Sequence, residues 1–306
     1  MTIWWIALTL IFVISLALDL GVFHRHAHEV RMKEALIWSG IWIGMALLFA
    51  GALYLFMSPE KALLFLTGYI VEKALSVDNL FVFIIIFSYF AVPGKYQHKI
   101  LFWGILGAII SRGIMIYLGV ALIQRFHWLT WVLGVFLILT GIKSALQKGE
   151  RLEPEKNPLV KFLRKTLPVT NYYDEGKFFV KEKGKLFVTP LFLALLVVEF
   201  TDIVFAVDSI PAILGITDDL FIVYSSNLFA ILGLRALYFA LASVMGLFRF
   251  LQFGISLVLV IVGIKMLSGS FFHVSEGLLL GATTLALVGS IVLSILIPEK
   301  DSAVAE

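Results

Sequence analysis

Apolar residues in this chain run in long blocks, and polar residues fall in short bursts between them. Nine blocks approach or exceed the roughly 20 residues that cross a bilayer as a helix: 3–22, 36–57, 63–90, 99–123, 128–146, 187–214, 219–246, 252–270 and 274–297. The expected fold is an all-α polytopic membrane protein forming a single transmembrane domain. The third and sixth blocks are longer than one crossing requires and hold most of the acids. Long, interrupted spans of this kind are expected where helices break to line a cavity. The one sizeable gap, 147–186, contains Pro154, Pro158 and Pro168 and ends in FFVKEKGKLFV, whose alternation about Gly184 predicts a short hairpin. It is too short for a catalytic core of its own and reads as a solvated, basic connector.

Composition agrees. The chain is 60% hydrophobic and 15% charged, with mean hydropathy +1.00, against about 45–50% and about 25% in soluble domains. Cysteine is absent, which excludes disulfides, thiolate zinc sites and iron–sulfur clusters. The opening MTIWWIALTLIFVISLALDLG lacks a basic leader and reads as a first spanning helix, not a cleaved signal peptide. The net charge of +3 matters less than its placement. Loops 23–35, 91–98, 147–186, Arg249 and the tail at Lys300 hold nearly all the loop lysines and arginines, while the opposite turns hold Lys61 and Arg125. Basic loops stay inside, so the amino terminus is expected outside and the carboxyl terminus inside.

Charges inside the blocks carry the chemistry. Glu199, Asp202 and Asp208 interrupt EFTDIVFAVDSIP, and Glu72 and Asp78 interrupt EKALSVDNLFVF. A carboxylate at bilayer depth costs from ~2.5 to more than ~10 kcal/mol unless it is partnered. The two stretches are copies. Val77-Asp78-Asn79 aligns with Val207-Asp208-Ser209, each with an acid six residues earlier; the segment ending at Arg112 resembles the one ending at Arg235; and Gly141-Ile142-Lys143 recurs as Gly263-Ile264-Lys265. With the orientation above, 63–146 and 187–270 form inverted repeats of three helices, an arrangement typical of transporters with a substrate site between the halves.

Residues six apart point in different directions on an unbroken helix. Convergence of Glu72, Asp78, Asn79, Glu199, Asp202, Asp208 and Ser209 on one ion therefore predicts that helices three and six unwind near their acids, the latter aided by Pro211. These are oxygen ligands, with no histidine inside the predicted spans, which suits magnesium, calcium or manganese over copper or zinc. Protons would compete for the same carboxylates, making metal–proton exchange plausible. Plainer readings exist for each group. The acids could be structural partners of Lys73, Arg112 and Arg235, above all Asp19 near the membrane edge. Lys143 and Lys265 could snorkel, and His24, His26 and His28 could be solvated loop residues.

The stretches FLTGYIVEKALSVDNLFVF, VEFTDIVFAVDSIPAI, SNLFAILGLRALYF and LALDLGVFHRHAHEV resemble the TerC family of bacterial membrane proteins, most closely its pH-responsive Alx-like branch. The resemblance covers nearly the whole chain. It implies an inner-membrane protein linked to manganese efflux and metal homeostasis, with Glu72, Asp78, Glu199, Asp202 and Asp208 as the acidic motif positions beside Asn79 and Ser209. It supplies manganese, whereas the residues alone stop at a hard divalent cation.

The leading expectation is a transporter exporting Mn2+ in exchange for protons, with no prosthetic group. One alternative is an oxyanion (tellurite-type) transporter built on Arg112 and Arg235. Another is a scaffold that assists metal loading of exported proteins beside the secretion machinery through its 147–186 loop. No nucleophile–base pair or phosphate-binding glycine loop stands out, so an enzyme is not expected, nor is a nucleic-acid partner.

Overall fold

A computed structural model describes residues 2–23, 32–146, 165–170, 172–174, 176–182, 184–242, 250–268 and 274–297. The side chains of Asp19 and Asp78, the histidines at 24, 26 and 28, and most of the first half of the 147–186 loop lie outside the described residues. In chain order the elements are α1 (Thr2–Phe23), α2 (Met32–Phe56), α3 (Pro59–Tyr89), α4 (Gly94–Arg125) and α5 (Leu129–Leu146). Then follow β1 (Phe179–Glu182), β2 (Lys185–Val188), α6 (Pro190–Ile216), α7 (Leu220–Ile231), α8 (Leu234–Ala242), α9 (Leu251–Ser268) and α10 (Glu276–Leu296). Each of the nine predicted blocks falls on one of these helices or, for 219–246, on the pair α7 and α8.

The chain is an all-α polytopic membrane protein. Six helices, α2, α4, α5, α6, α9 and α10, are each long and apolar enough to cross a membrane, and the α7–α8 pair makes a seventh candidate. Helix α3 has the length but carries Glu72, Lys73 and Asp78, and the apolar part of α1 spans Thr2–Ser15. The predicted hairpin is present: β1 pairs antiparallel with β2, and Gly184 sits in the turn at φ +81°, where a side chain would be strained.

Two expectations are corrected. Helices α3 and α6 do not break at their acids: both are assigned as continuous helix, over 31 and 27 residues. Pro211 removes a donor within α6 but does not end it. The break lies instead between α7 and α8, which bend by 42° about Gly233 at φ +81°. A Cβ there would come within 2.6–2.9 Å of Trp42 on α2, so both backbone and packing require glycine. The described part of the connector is also less solvated than expected. Tyr173 donates its hydroxyl to Phe90 O at 2.5 Å and Lys99 donates to Gly176 O at 2.8 Å, tying this segment to the end of α3 and the start of α4.

Packing sets α6 against α3, α4, α5 and α9. The closest pair is α5 with α9. Gly134 lies opposite Gly263 and Gly141 opposite Ser256, so the pair is antiparallel; a Cβ on Gly141 would sit 2.7 Å from Ser256 O, and one on Gly263 would sit 2.8 Å from Gly134 O. Small residues let membrane helices approach backbone to backbone. The apolar core forms two clusters. One holds Phe49, Phe65 and Phe229, whose rings lie 4.7–5.7 Å apart; the other holds Phe87, Leu101, Leu193 and Tyr238. On α6 the first cluster begins at Ala206 and the second ends at Val198. Glu199 and Asp202 fall between them.

Candidate ion site and charge cluster

The polar residues of α3 and α6 sit on inward stripes. Tyr69, Glu72, Ser76 and Asn79 follow a 3-4-3 spacing, and so do Glu199, Asp202, Ala206 and Ser209, the spacing that places residues on one helix face. Glu72 is 0% exposed, Ser76 1%, Asp202 5% and Ser209 2%. Glu72 and Asp202 in these stripes meet α4, and that contact draws the first charge cluster together.

Arg112 of α4, itself 1% exposed, is the hub. Its Nε and Nη2 donate to the two oxygens of Asp202 at 3.2 and 2.8 Å, and its Nη1 pairs with Glu72 Oε1. One acid from each copy of the motif thus meets the same guanidinium. A planar fork matches a carboxylate with two parallel bonds, which favours arginine over lysine at this position. With all three groups ionised, the cluster holds one negative charge in excess.

Glu199 stands apart from this cluster. Its carboxylate lies directly over Gly107 of α4, in the space a Cβ would fill. Lys73 serves the helix break: its ammonium donates to the carbonyls of Ala230 and Leu232 at 3.1 and 3.3 Å. The last turn of a helix leaves carbonyls without donors, and the end of α7 at the bend creates that need deep in the fold. Arg235 is 3% exposed in the first turn of α8.

Asp208, Ser209 and Asn79 line a different space, a cavity of about 260 Å3 between α3, α5, α6 and α9. Thr140, Lys143 and Ser144 from the end of α5 and Gln252 from the start of α9 complete its polar lining, with Leu75, Phe205, Ile255 and Leu259 as apolar walls. Ser209 Oγ is buried with no hydrogen-bond partner among the described residues. Asp208 is half-buried and Lys143 exposed, so the cavity joins buried oxygens to the protein surface.

The seven predicted ligands are therefore not gathered into one shell. Glu72 and Asp202 meet at Arg112; Asn79, Asp208 and Ser209 share the cavity; Glu199 lies on Gly107; and the Asp78 side chain is outside the described residues. Among the described residues, no three Asp, Glu or His side chains are placed to hold one metal ion. The physical reason is the unbroken helices, because six residues separate the acids by ~9 Å along each axis. Three features escaped the sequence reading. Lys143 faces the cavity where snorkelling was expected. Lys265 donates to Ile216 O at 2.7 Å. Helix α4 starts early enough to take His98 inside it, 8% exposed and 4.3 Å from the ring of Phe239.

Residues 57–302 match the integral membrane protein TerC family. The chain belongs to the TerC family. Among its relatives is an uncharacterized membrane protein of Myxococcus xanthus, 49% identical over 296 residues and covering 95% of this chain and 93% of that protein. The Alx protein of Escherichia coli K12, whose name marks it as a candidate membrane-bound redox modulator, is 45% identical over 286 residues, covering 90% and 89%. An uncharacterized membrane protein of Rickettsia bellii is 42% identical over 287 residues, covering 94% and 95%. No solved structure matches the chain significantly. Membership of the TerC family and this helical architecture fit a membrane transporter or a related role.

Proposed function

We propose that this TerC-family chain is a secondary transporter that exports a divalent metal cation across the bacterial cytoplasmic membrane in exchange for protons. The observation that carries this reading is the cavity holding Asp208, Asn79 and the unpartnered Ser209 hydroxyl between α3, α5, α6 and α9. Carboxylate, amide and hydroxyl oxygens suit a hard cation, and Mn2+ follows from the family resemblance. The Glu72–Arg112–Asp202 cluster, one charge in excess and walled by apolar clusters, is a second element of the reading. A proton there would neutralise the layer, giving exchange a site apart from the metal.

Inverted repeats over 63–146 and 187–270 belong to the same proposal, with nine crossings, the amino terminus outside and the carboxyl terminus inside. Packing supports the repeat. The contacts Gly141–Ser256 and Gly263–Gly134 exchange when each residue is replaced by its counterpart in the other copy. So do Gly68–Ser226 and Gly104–Val198.

Two other readings are weaker. An oxyanion would need a cationic site, yet Arg112 is already shared by two carboxylates. Thiol redox chemistry, suggested by the name of the Alx relatives, has no cysteine to work with in this chain; a redox effect would have to act through the metal moved. The deciding experiment is cellular manganese in a manganese-loaded strain expressing wild type or Asp208→Asn. The proposal expects retention of manganese in the variant, and equal efflux from both would overturn it.

A further inference from the structure

The two copies of the GIK motif end differently. Lys265 is committed: its ammonium donates to Ile216 O at 2.7 Å, at the end of α6. Its counterpart Lys143 makes no hydrogen bond or ion pair among the described residues. It is exposed at the end of α5 and lines the same cavity as Asp208, Asn79 and Ser209. Asp208 likewise makes no hydrogen bond among the described residues, and Lys143 is the one cationic side chain among the residues that line the cavity with it. The rest of the polar lining, Thr140, Ser144 and Gln252, is neutral. Gln252 is held by a 3.0 Å bond from its amide to Ser144 O, so it is not free to balance a carboxylate.

A carboxylate in the interior of a membrane protein needs a cation nearby. A bound divalent ion would supply one when the site is loaded, but something else must supply it when the site is empty. A lysine ammonium on a flexible four-carbon stem, anchored at the surface end of the cavity, is suited to that work. It can approach Asp208 when the cavity is empty and withdraw toward solvent when an ion arrives.

We infer that Lys143 is a tethered counter-cation for Asp208, occupying the cavity in place of the transported ion and being displaced by it. This rests on the transport reading above and adds to it a specific competitor for the ion. Competition weakens binding, and it also eases release, since the ammonium can follow the departing ion and cover the carboxylate. Removing the ammonium should tighten binding and slow turnover, whereas loss of a merely structural lysine would leave binding unchanged or weaken it.

The test is Mn2+ binding to the full chain in detergent micelles, measured by calorimetry at fixed pH and ionic strength. Lys143→Gln and Lys143→Ala should bind Mn2+ at least about five-fold tighter than wild type, the scale of one charge–charge interaction at ~4 Å in water. Lys143→Arg should stay within about two-fold, since it keeps the charge. Asp208→Asn should lose binding. Because Lys143 is exposed, both neutral variants should fold, and a gain in affinity cannot arise from damage to the structure. If both neutral variants bind as wild type or more weakly while Asp208→Asn abolishes binding, the role of Lys143 is overturned and the transport reading stands. If wild type shows no Mn2+ binding, or Asp208→Asn binds as wild type does, the transport reading itself falls.

Discussion

Arg112 grips both oxygens of Asp202, through Nε at 3.2 Å and Nη2 at 2.8 Å, and still has Nη1 to pair with Glu72. A single guanidinium on α4 thereby joins α3 to α6. Breaking a buried ion pair from one side leaves a charge without compensation, at about 3–5 kcal/mol. Arg112→Met should therefore lower the thermal midpoint in detergent sharply. The triple variant Arg112→Met, Glu72→Gln, Asp202→Asn should recover much of that loss, since no buried charge then remains. Circular dichroism melts distinguish the two, and a triple variant no more stable than the single would show that the acids are not what Arg112 compensates.

Glu199 rests on Gly107, where a Cβ would meet its carboxylate. Gly107→Ala should push the carboxylate aside and reduce manganese efflux to the level of Glu199→Gln. Combining the two substitutions should cause no further loss, since each removes the same arrangement. Additive losses in the efflux assay would show that Gly107 acts elsewhere.

The bend at Gly233 makes a sharper stability prediction. Left-handed backbone costs a residue with a Cβ about 1–2 kcal/mol, and Trp42 atoms within 2.6–2.9 Å of that Cβ add a clash. Gly233→Ala should destabilise by more than the backbone cost alone. The companion Lys73→Met removes the donor to Ala230 O and Leu232 O, leaving buried acceptors at about 1–3 kcal/mol. Both effects are read as shifts in the thermal midpoint, and a melt unchanged in Lys73→Met would mean that these carbonyls are satisfied in another way.

Orientation is open to direct test because the chain lacks cysteine. Arg125→Cys should react with an impermeant maleimide added to intact cells, and Lys95→Cys only after the membrane is opened. The reverse pattern would invert the proposed topology.

Much of this protein could be read from the sequence. Helix positions followed from block length and apolarity, since a bilayer accepts little else. The hairpin at Gly184 followed from alternation, and the need of Glu72 and Asp202 for a buried partner from the cost of burying charge. Arg112 as a counter-ion was legible too, since a buried acid needs a base.

Tertiary structure decided how these groups were divided. Sequence spacing required broken helices if every acid served one ion; the fold kept α3 and α6 whole, sent Glu72 and Asp202 to Arg112, and left Asp208 to the cavity. It placed the break at Gly233, where Trp42 from a distant helix leaves no room for a side chain. It also separated two lysines that look alike in sequence, binding Lys265 to a carbonyl and leaving Lys143 beside Asp208. Local sequence specifies which groups must find partners. Only the packing of α3, α4, α5, α6 and α9 determines which partners come within reach.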